Sequence, residues 1–142
     1  MKTSNCPEIC LVSSCLVGLL TRYDGRQKTP DPECMARLKN TAWIPVCPEQ
    51  LGGLPTPREP ADIVGGTGRD VLDGKAKVLT RTENRDCTQE FIRGAEQVLS
   101  IARNQNISTV LLKARSPSCG VNNIPGVTAA LLQKHGFKIL EF

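Results

Sequence analysis

The 142-residue sequence predicts an α/β fold: a single domain with a mainly parallel, Rossmann-like sheet flanked by helices and a small β-hairpin insertion. Short, wholly apolar runs such as Val110–Leu112 are typical of strands that are covered on both faces. These runs alternate with segments of helical periodicity, and most connections between them are short, as in βαβ units. The length fits one domain, which we expect to span residues 1–142.

The first part of the chain supplies two predicted strands with a helix between them. Ile9–Ser13 is the first strand. Cys34–Lys39 forms the body of a helix that has Asp31 as its cap and a proline in its first turn. Trp43–Val46 is the second strand, and we expect it to lie at an edge of the sheet because Pro45 has no amide hydrogen to donate.

The middle of the chain is interpreted as a long loop followed by a hairpin. Cys47–Pro60 is rich in proline and glycine, so we expect no regular element there, and ordered loops of this length are usually functional. Ala61–Val64 and Val71–Leu72 predict the hairpin, and Lys75–Thr80 extends its small antiparallel sheet. The intervening Gly65–Gly68 matches neither a dinucleotide fingerprint nor a P-loop, which favours a turn.

The last part of the chain contains two predicted helices and two predicted strands. Asp86 is expected to cap the first of these helices, with Gln89 at the capping-box position. The apolar residues of this helix repeat at helical spacing, at Phe91, Ala95, Val98, Leu99 and Ala102. Ser108–Leu112 is the next strand, Val127–His135 the second helix, and Phe137–Leu140 the last strand.

The composition of the sequence argues against nucleic acids and membranes as binding partners. The sequence is 39% hydrophobic and 23% charged, as in ordinary globular proteins. Its net charge of +4 comes from scattered Lys and Arg residues, and aromatic residues make up only 4%, which disfavours a nucleic-acid partner. No segment reaches the roughly 18 apolar residues of a membrane span, and the N-terminus is a poor signal peptide. We therefore expect a cytoplasmic protein that does not contact membranes, and we favour a monomer.

Seven cysteines are an odd number for a complete set of disulfides, and in a reducing compartment they indicate metal or redox chemistry. Cys15, Cys47 and Cys119 each come shortly after a predicted strand. Because ligands gather beyond the carboxyl ends of parallel strands, we expect these three thiols to meet at one edge of the sheet. The remaining cysteines are interpreted as small buried residues at Cys10, Cys34 and Cys87, with Cys6 left unassigned.

Three thiolates without a partner histidine favour zinc, copper(I) or an iron-sulfur cluster. A structural zinc site usually takes four ligands in closely spaced pairs, and the sequence contains no Cys-x-x-Cys. On a cluster of four irons, three cysteines leave one iron without a protein ligand, which suits catalysis, whereas electron-transfer clusters normally have four. The alternative is that these cysteines are ordinary buried residues near loops.

Several polar residues surround the three cysteines. Glu49 is a candidate general acid or base, and the alternative is a solvated loop carboxylate. Ser14, Ser116 and Ser118 are candidates for hydrogen bonds to cluster sulfur or to a substrate, although serine beside proline is also common in turns. Arg58 is expected either to pair with Glu49 or to anchor its own loop.

Five separated motifs give the sequence a specific resemblance that covers most of the chain. They are Leu11–Gly18, Arg22–Gly25, Pro45–Glu49, Gly53–Arg58 and Leu112–Gly120. In these motifs the chain resembles the thiouracil desulfidase family, in its stand-alone form. One departure is Ser14, where relatives often have alanine.

The resemblance implies a [4Fe-4S] cluster held by Cys15, Cys47 and Cys119, with the open iron taking the sulfur of a thiolated uracil. It further implies that Glu49 activates water and that Ser116 helps to hold the sulfur or the substrate. The expected reaction converts 2-thiouracil or 4-thiouracil to uracil and hydrosulfide with no net redox change. Two alternatives stay open: a non-catalytic carrier of a cluster or sulfide, and a desulfidase that acts on thiolated tRNA.

Overall fold

Strands and helices alternate along the chain in the computed structural model, which describes residues 6–121 and 124–142. The strands are β1 (Ile9–Ser13), β2 (Ala42–Val46), β3 (Ala61–Val64), β4 (Lys77–Thr80), β5 (Thr109–Leu112) and β6 (Lys138–Glu141). The α-helices are α1 (Pro32–Leu38), α2 (Pro48–Leu51), α3 (Gly68–Leu72), α4 (Thr88–Asn104) and α5 (Val127–Lys134). A short 3-10 helix, Ser14–Val17, follows β1 directly.

The main sheet has four parallel strands in the order β2-β1-β5-β6. Helices flank this sheet, and β3 and β4 form a separate antiparallel pair, so the predicted fold class is confirmed. The edge position predicted for β2 from Pro45 is also confirmed. The order places β1 between β2 and β5, so the three strands that precede the candidate cysteines are neighbours.

The two faces of the main sheet bury different sets of residues, because successive side chains of a strand point to opposite sides. Leu11, Val110 and Leu112 belong to one apolar cluster with residues of α4 and α5. On the other face, Cys10 packs in a cluster with Cys34 of α1. Both of these thiols are fully buried, and Cys87 is 1% exposed in a third cluster, so their interpretation as core residues is confirmed.

The predicted hairpin is wrong in one of its strands. β3 pairs with β4, with Val64 opposite Lys77, whereas Val71 and Leu72 lie in α3. The reason is local: the carboxylate of Asp70 accepts hydrogen bonds from the amide and the hydroxyl of Thr67, at 2.8 and 3.1 Å. This interaction stabilises a helix start immediately after the glycine-rich segment, which two apolar neighbours alone do not reveal.

Two helix starts also differ from the prediction. The segment Cys47–Pro60, expected to lack regular structure, contains α2, because Pro48 suits a first helical position. Helix α4 begins at Thr88 with Cys87 at its N-cap, so Gln89 does not occupy the capping-box position. Asp86 still accepts a 2.9 Å hydrogen bond from the Thr88 amide and so supports the first turn.

The helices within residues 6–121 and 124–142 are all too short or too polar to cross a bilayer.

Candidate active site

The three cysteines that follow strands lie at one edge of the main sheet. Cys15 lies in the 3-10 helix after β1, Cys47 is the residue between β2 and α2, and Cys119 lies in the loop after β5. All three line one cavity of about 360 Å³. Its volume is within the roughly 300–1,000 Å³ that ligand sites occupy. The other candidate residues line the same cavity: Ser14, Glu49, Arg58, Ser116 and Ser118.

The cysteines do not converge as the ligands of a single metal ion do. In the described part of the chain, no group of three His, Cys, Asp or Glu side chains is placed to hold one metal ion. In a cluster of four irons, each cysteine binds a different iron, so its ligands line a cavity instead of meeting at a point. Soft donors spread around a cavity therefore fit a cluster better than a mononuclear zinc site.

The loop that carries Cys119 is held in shape by the Ser116 side chain. Ser116 Oγ accepts hydrogen bonds from the amides of Ser118 and Cys119, at 3.2 and 3.1 Å. Its own hydroxyl hydrogen is then available to Ser118 Oγ, 3.0 Å away. Arg115 makes the turn possible with a left-handed backbone (φ 59°). Ser116 thus shapes the loop from within, in addition to lining the cavity.

The first turn of α5 holds the same loop from outside. The amides of Val127 and Thr128 donate to the carbonyls of Pro117 and Ser118, at 2.9 and 2.8 Å. These amides have no acceptor within their own helix, so the loop satisfies them. Gly126 lets the loop approach closely: a Cβ at this position would lie 2.5 Å from the carbonyl oxygen of Ser118.

Glu49 is held by a hydrogen bond at each of its carboxylate oxygens. Arg58 Nε donates to Oε1 at 2.9 Å, and Ser118 Oγ donates to Oε2 at 3.1 Å. The Glu49 and Arg58 side chains are only 15% and 6% exposed, so Glu49 is not a solvated loop carboxylate. The predicted pairing of Arg58 with Glu49 is present, and Arg58 also binds backbone carbonyls of the surrounding loops.

The thiols of Cys15 and Cys119 are protonated unless a metal replaces the proton. Burial raises the pKa of Cys119 to about 12, and burial also raises the pKa of Cys15. Cys119 is 3% exposed, with Ser118 Oγ 3.7 Å from its sulfur. A metal that binds such thiols displaces their protons, because a coordinating thiol is deprotonated outright.

Positive charge surrounds the cysteines. Six cationic residues line the cavity: Arg22, Lys28, Arg58, Arg81, Lys113 and Arg115. Among the described lining residues, Glu49 is the one carboxylate. Three thiolates would bring three negative charges into this site, and the cations offset them. The donor set and its electrostatic surroundings therefore fit an anionic metal cluster.

Three further residues, Ser13, Thr21 and Lys113, contribute to the wall of the cavity. Ser13 Oγ accepts a 3.0 Å hydrogen bond from the amide of Lys113, which ties the ends of β1 and β5 together. Thr21 accepts at its carbonyl from Cys47 Sγ (3.7 Å), and its hydroxyl is hydrogen-bonded to Ser14 Oγ. Lys113 follows β5 directly. The tendency of ligands to bind beyond the carboxyl ends of parallel strands, which located the cysteines, therefore also indicates Lys113.

The sheet and its cavity place the chain among α/β enzymes whose site lies beyond the carboxyl ends of parallel strands. Residues 10–141 match the 2-thiouracil desulfurase family. The chain belongs to this family.

Two individual relatives cover nearly the whole chain. The Bacillus subtilis (strain 168) protein YbbK, whose name describes it as uncharacterized, is 42% identical over 143 residues, covering 92% of this chain and 93% of its own. A solved structure of the [4Fe-4S]-dependent thiouracil desulfidase TudS superposes with a TM-score of 0.80 at 37% identity. That match covers 94% of this chain and 90% of TudS. The resemblance found in the sequence motifs is therefore confirmed.

Proposed function

We propose that this chain is a [4Fe-4S]-dependent enzyme that converts 2-thiouracil or 4-thiouracil to uracil and hydrosulfide without net redox change. The observation that carries the proposal is the shared cavity of Cys15, Cys47 and Cys119, with Glu49 in its wall. Family membership and the likeness to TudS support the same reaction and cofactor. We propose that the domain responsible spans the whole of residues 1–142.

Cys15, Cys47 and Cys119 would hold the cluster, one thiolate to each of three irons. When bound, the cluster supplies an iron without a protein ligand, a Lewis acid for the sulfur of a thiocarbonyl group. The cations that line the cavity, such as Lys113 and Arg115, would offset the negative charge of the thiolates. Free thiols persist in a reducing compartment, so the cytoplasmic location remains our prediction, as does the monomeric state.

Glu49 would act as the general base. Each of its oxygens accepts one hydrogen bond, so a lone pair remains on each to accept a proton from water. As Glu49 takes one proton, the oxygen of water bonds to the thiocarbonyl carbon and the π electron pair of the C=S bond moves to sulfur. The remaining carbon-sulfur bond then breaks with its electron pair on sulfur, while the added hydroxyl group loses its proton to solvent and becomes the carbonyl of uracil. The proton held by Glu49 passes to the departing sulfur, which leaves as hydrosulfide. Ser118 and Arg58 keep the carboxylate in place throughout.

Anaerobic reconstitution with iron and sulfide tests the cofactor, and an assay with 2-thiouracil and 4-thiouracil tests the reaction. We expect about four irons per chain and release of hydrosulfide. Iron binding and hydrosulfide release should both be lost in each of the variants Cys15→Ser, Cys47→Ser and Cys119→Ser. Cys34→Ala and Cys87→Ala are matched controls, since these thiols lie in apolar clusters, and both variants should keep iron and activity.

Three results would count against the proposal. Full activity in Cys119→Ala would show that Cys119 is not a required ligand of the cluster. A stable cluster that never turns over either thiolated base would favour the carrier alternative. Retention of the loaded protein on thiolated tRNA at moderate salt, with faster desulfuration of the RNA than of the free bases, would favour the RNA alternative.

A further inference from the structure

Arg58 uses every donor of its guanidinium group inside the wall of the cavity. Nε donates to Glu49 Oε1, and Nη1 donates to the carbonyl of Pro55 (3.2 Å) and to Thr56 Oγ1 (2.8 Å). Nη2 donates to the carbonyl of Thr21 (3.0 Å) and to Cys47 Sγ (3.8 Å). Five acceptors for five N–H groups fix this side chain in one orientation.

The contact between Arg58 and Cys47 becomes a stronger hydrogen bond when that sulfur binds iron. As a thiol, Cys47 donates its hydrogen to the carbonyl of Thr21. As a thiolate it can only accept, and the N–H group of Arg58 then forms a charge-assisted hydrogen bond to it. Hydrogen bonds and positive charge beside a ligand sulfur raise the reduction potential of an iron-sulfur cluster.

The guanidinium group makes both of these contacts at once through two different nitrogens. The planar fork of arginine presents Nε to Glu49 and Nη2 to Cys47, whereas the single ammonium of lysine is a point charge. The backbone of Arg58 is fixed as well, because its amide donates to the carbonyl of Tyr23 at 2.6 Å. The side chain therefore connects a cysteine of the site to the carboxylate of the site.

We propose that Arg58 is a positioning residue that couples Cys47 to Glu49: one guanidinium stabilises negative charge on the ligand sulfur and holds the carboxylate toward the cavity. This inference rests on the proposed function. It assigns Arg58 a role in setting the properties of the bound cluster, beyond anchoring the loop in which it lies.

The decisive comparison is made in a Glu49→Gln background, because removing Arg58 alone would leave a buried carboxylate without its partner. Glu49→Gln, Glu49→Gln/Arg58→Gln and Glu49→Gln/Arg58→Lys are reconstituted, and the iron content and the midpoint potential of the cluster are measured. We expect a lower potential in Glu49→Gln/Arg58→Gln than in Glu49→Gln, because a positive charge and an N–H donor beside sulfur are lost. The potential of Glu49→Gln/Arg58→Lys should fall between them.

Arg69→Gln is the control. Arg69 is exposed in α3 and is not among the residues that line the cavity, so this substitution also removes one arginine but no cation of the site. The midpoint potential of the cluster in this variant should equal that of the wild type. In the otherwise wild-type protein, Arg58→Lys should lower kcat about 10–100-fold, with a smaller change in KM because Glu49 acts in the chemical step.

Equal potentials in Glu49→Gln and Glu49→Gln/Arg58→Gln would overturn the inference. If Glu49→Gln/Arg58→Gln takes up no iron, iron uptake by Glu49→Gln/Arg58→Lys is the deciding measurement. Uptake restored by lysine supports the role of positive charge beside Cys47. If neither double variant takes up iron, Arg58 serves to anchor its loop, and the inference is overturned. The proposed function is judged separately, by iron uptake and desulfuration in the wild type and in Arg69→Gln.

Discussion

A Cβ atom on Gly94 of α4 would lie 1.9 Å from the carbonyl oxygen of Pro48 in α2, so these helices touch at a position without a side chain. The contact is reciprocal: a Cβ on Gly52 would lie 1.9 Å from the carbonyl oxygen of Glu90. Helix α2 is only four residues long, but Cys47 precedes it and Glu49 lies in its first turn. The long helix α4 therefore sets the position of two candidate site residues.

Gly94→Ala should destabilise the protein, although alanine normally stabilises a helix interior relative to glycine by about 1 kcal/mol. The added methyl group would displace α2, and such overpacking costs about 1–3 kcal/mol. Urea unfolding of the metal-free protein measures the loss, and desulfuration should fall because Cys47 and Glu49 move. Ser100→Ala, at an exposed position of the same helix, should lower neither quantity. A Gly94→Ala variant as stable and active as the wild type would show that α2 tolerates a shift.

The two serines of the Cys119 loop should give different phenotypes. Ser118→Ala removes one hydrogen bond to the Glu49 carboxylate, so kcat should fall about tenfold, as for a hydrogen bond to a charged group. Iron content should remain that of the wild type. Ser116→Ala leaves two amides of the loop without their acceptor, each at a cost of about 1–3 kcal/mol. This variant should lose iron.

Iron analysis and steady-state kinetics on the same preparations separate these effects. Each serine variant is the control for the other, because the two hydroxyls lie 3.0 Å apart in one loop. Equal loss of iron in both would mean that Ser118 also holds the loop. Full iron and reduced kcat in Ser116→Ala would mean that this side chain contacts substrate, as the resemblance to the family implies.

Much of the fold could be predicted because local pattern and global placement agree. Apolar runs predicted the four strands of the main sheet, and Pro45 predicted the edge strand. The gathering of Cys15, Cys47 and Cys119 followed from one property of parallel sheets, the shared edge of their carboxyl ends. Short elements were less predictable: Val71–Leu72 contains two apolar residues, too few to distinguish a strand from a helix that begins with the capping box of Thr67 and Asp70.

The contacts within the site could not be predicted, because they join residues distant in the chain. Ser118 and Glu49 are 69 positions apart, and their hydrogen bond depends on the left-handed turn at Arg115. The sequence favoured Ser116 over Ser118, yet it is Ser118 that contacts the carboxylate. The close packing of α2 against Gly94 could not be predicted from the local sequence either, since a glycine within a helix usually only weakens that helix.

Stability at acid pH should depend on Glu8, which lies just before β1. Its carboxylate accepts hydrogen bonds from Arg37, Thr109 and Ser108, and the bond from Arg37 contributes most to lowering its pKa to about 2. In the unfolded chain its pKa returns to about 4.3. The folded state therefore gains stability from ionised Glu8 above that pH, and the gain is lost as pH falls toward 2.

Glu8→Gln should lower the free energy of unfolding near neutral pH, and the difference from the wild type should vanish as pH approaches 2. Chemical denaturation of the metal-free protein at several pH values measures this dependence. Glu96→Gln, at an exposed position of α4, is the control and should differ little from the wild type at any pH. A constant difference between Glu8→Gln and the wild type would mean that packing of the side chain, and not its ionisation, carries the effect.

Gly126→Ala should release iron without unfolding the sheet. A Cβ there would lie 2.5 Å from the carbonyl oxygen of Ser118 and 2.8 Å from that of Pro117, the two groups that accept hydrogen bonds from the first turn of α5. The loop has to move away from α5, and Cys119 moves with it.

Gly74→Ala is a control for destabilisation: its Cβ meets nothing, but its φ of +77° costs about 1–2 kcal/mol. Iron analysis, together with urea unfolding of the metal-free forms, should show iron loss in Gly126→Ala at a stability no lower than that of Gly74→Ala, which keeps its iron. Equal iron content in the two variants would show that the Cys119 loop accommodates the methyl group.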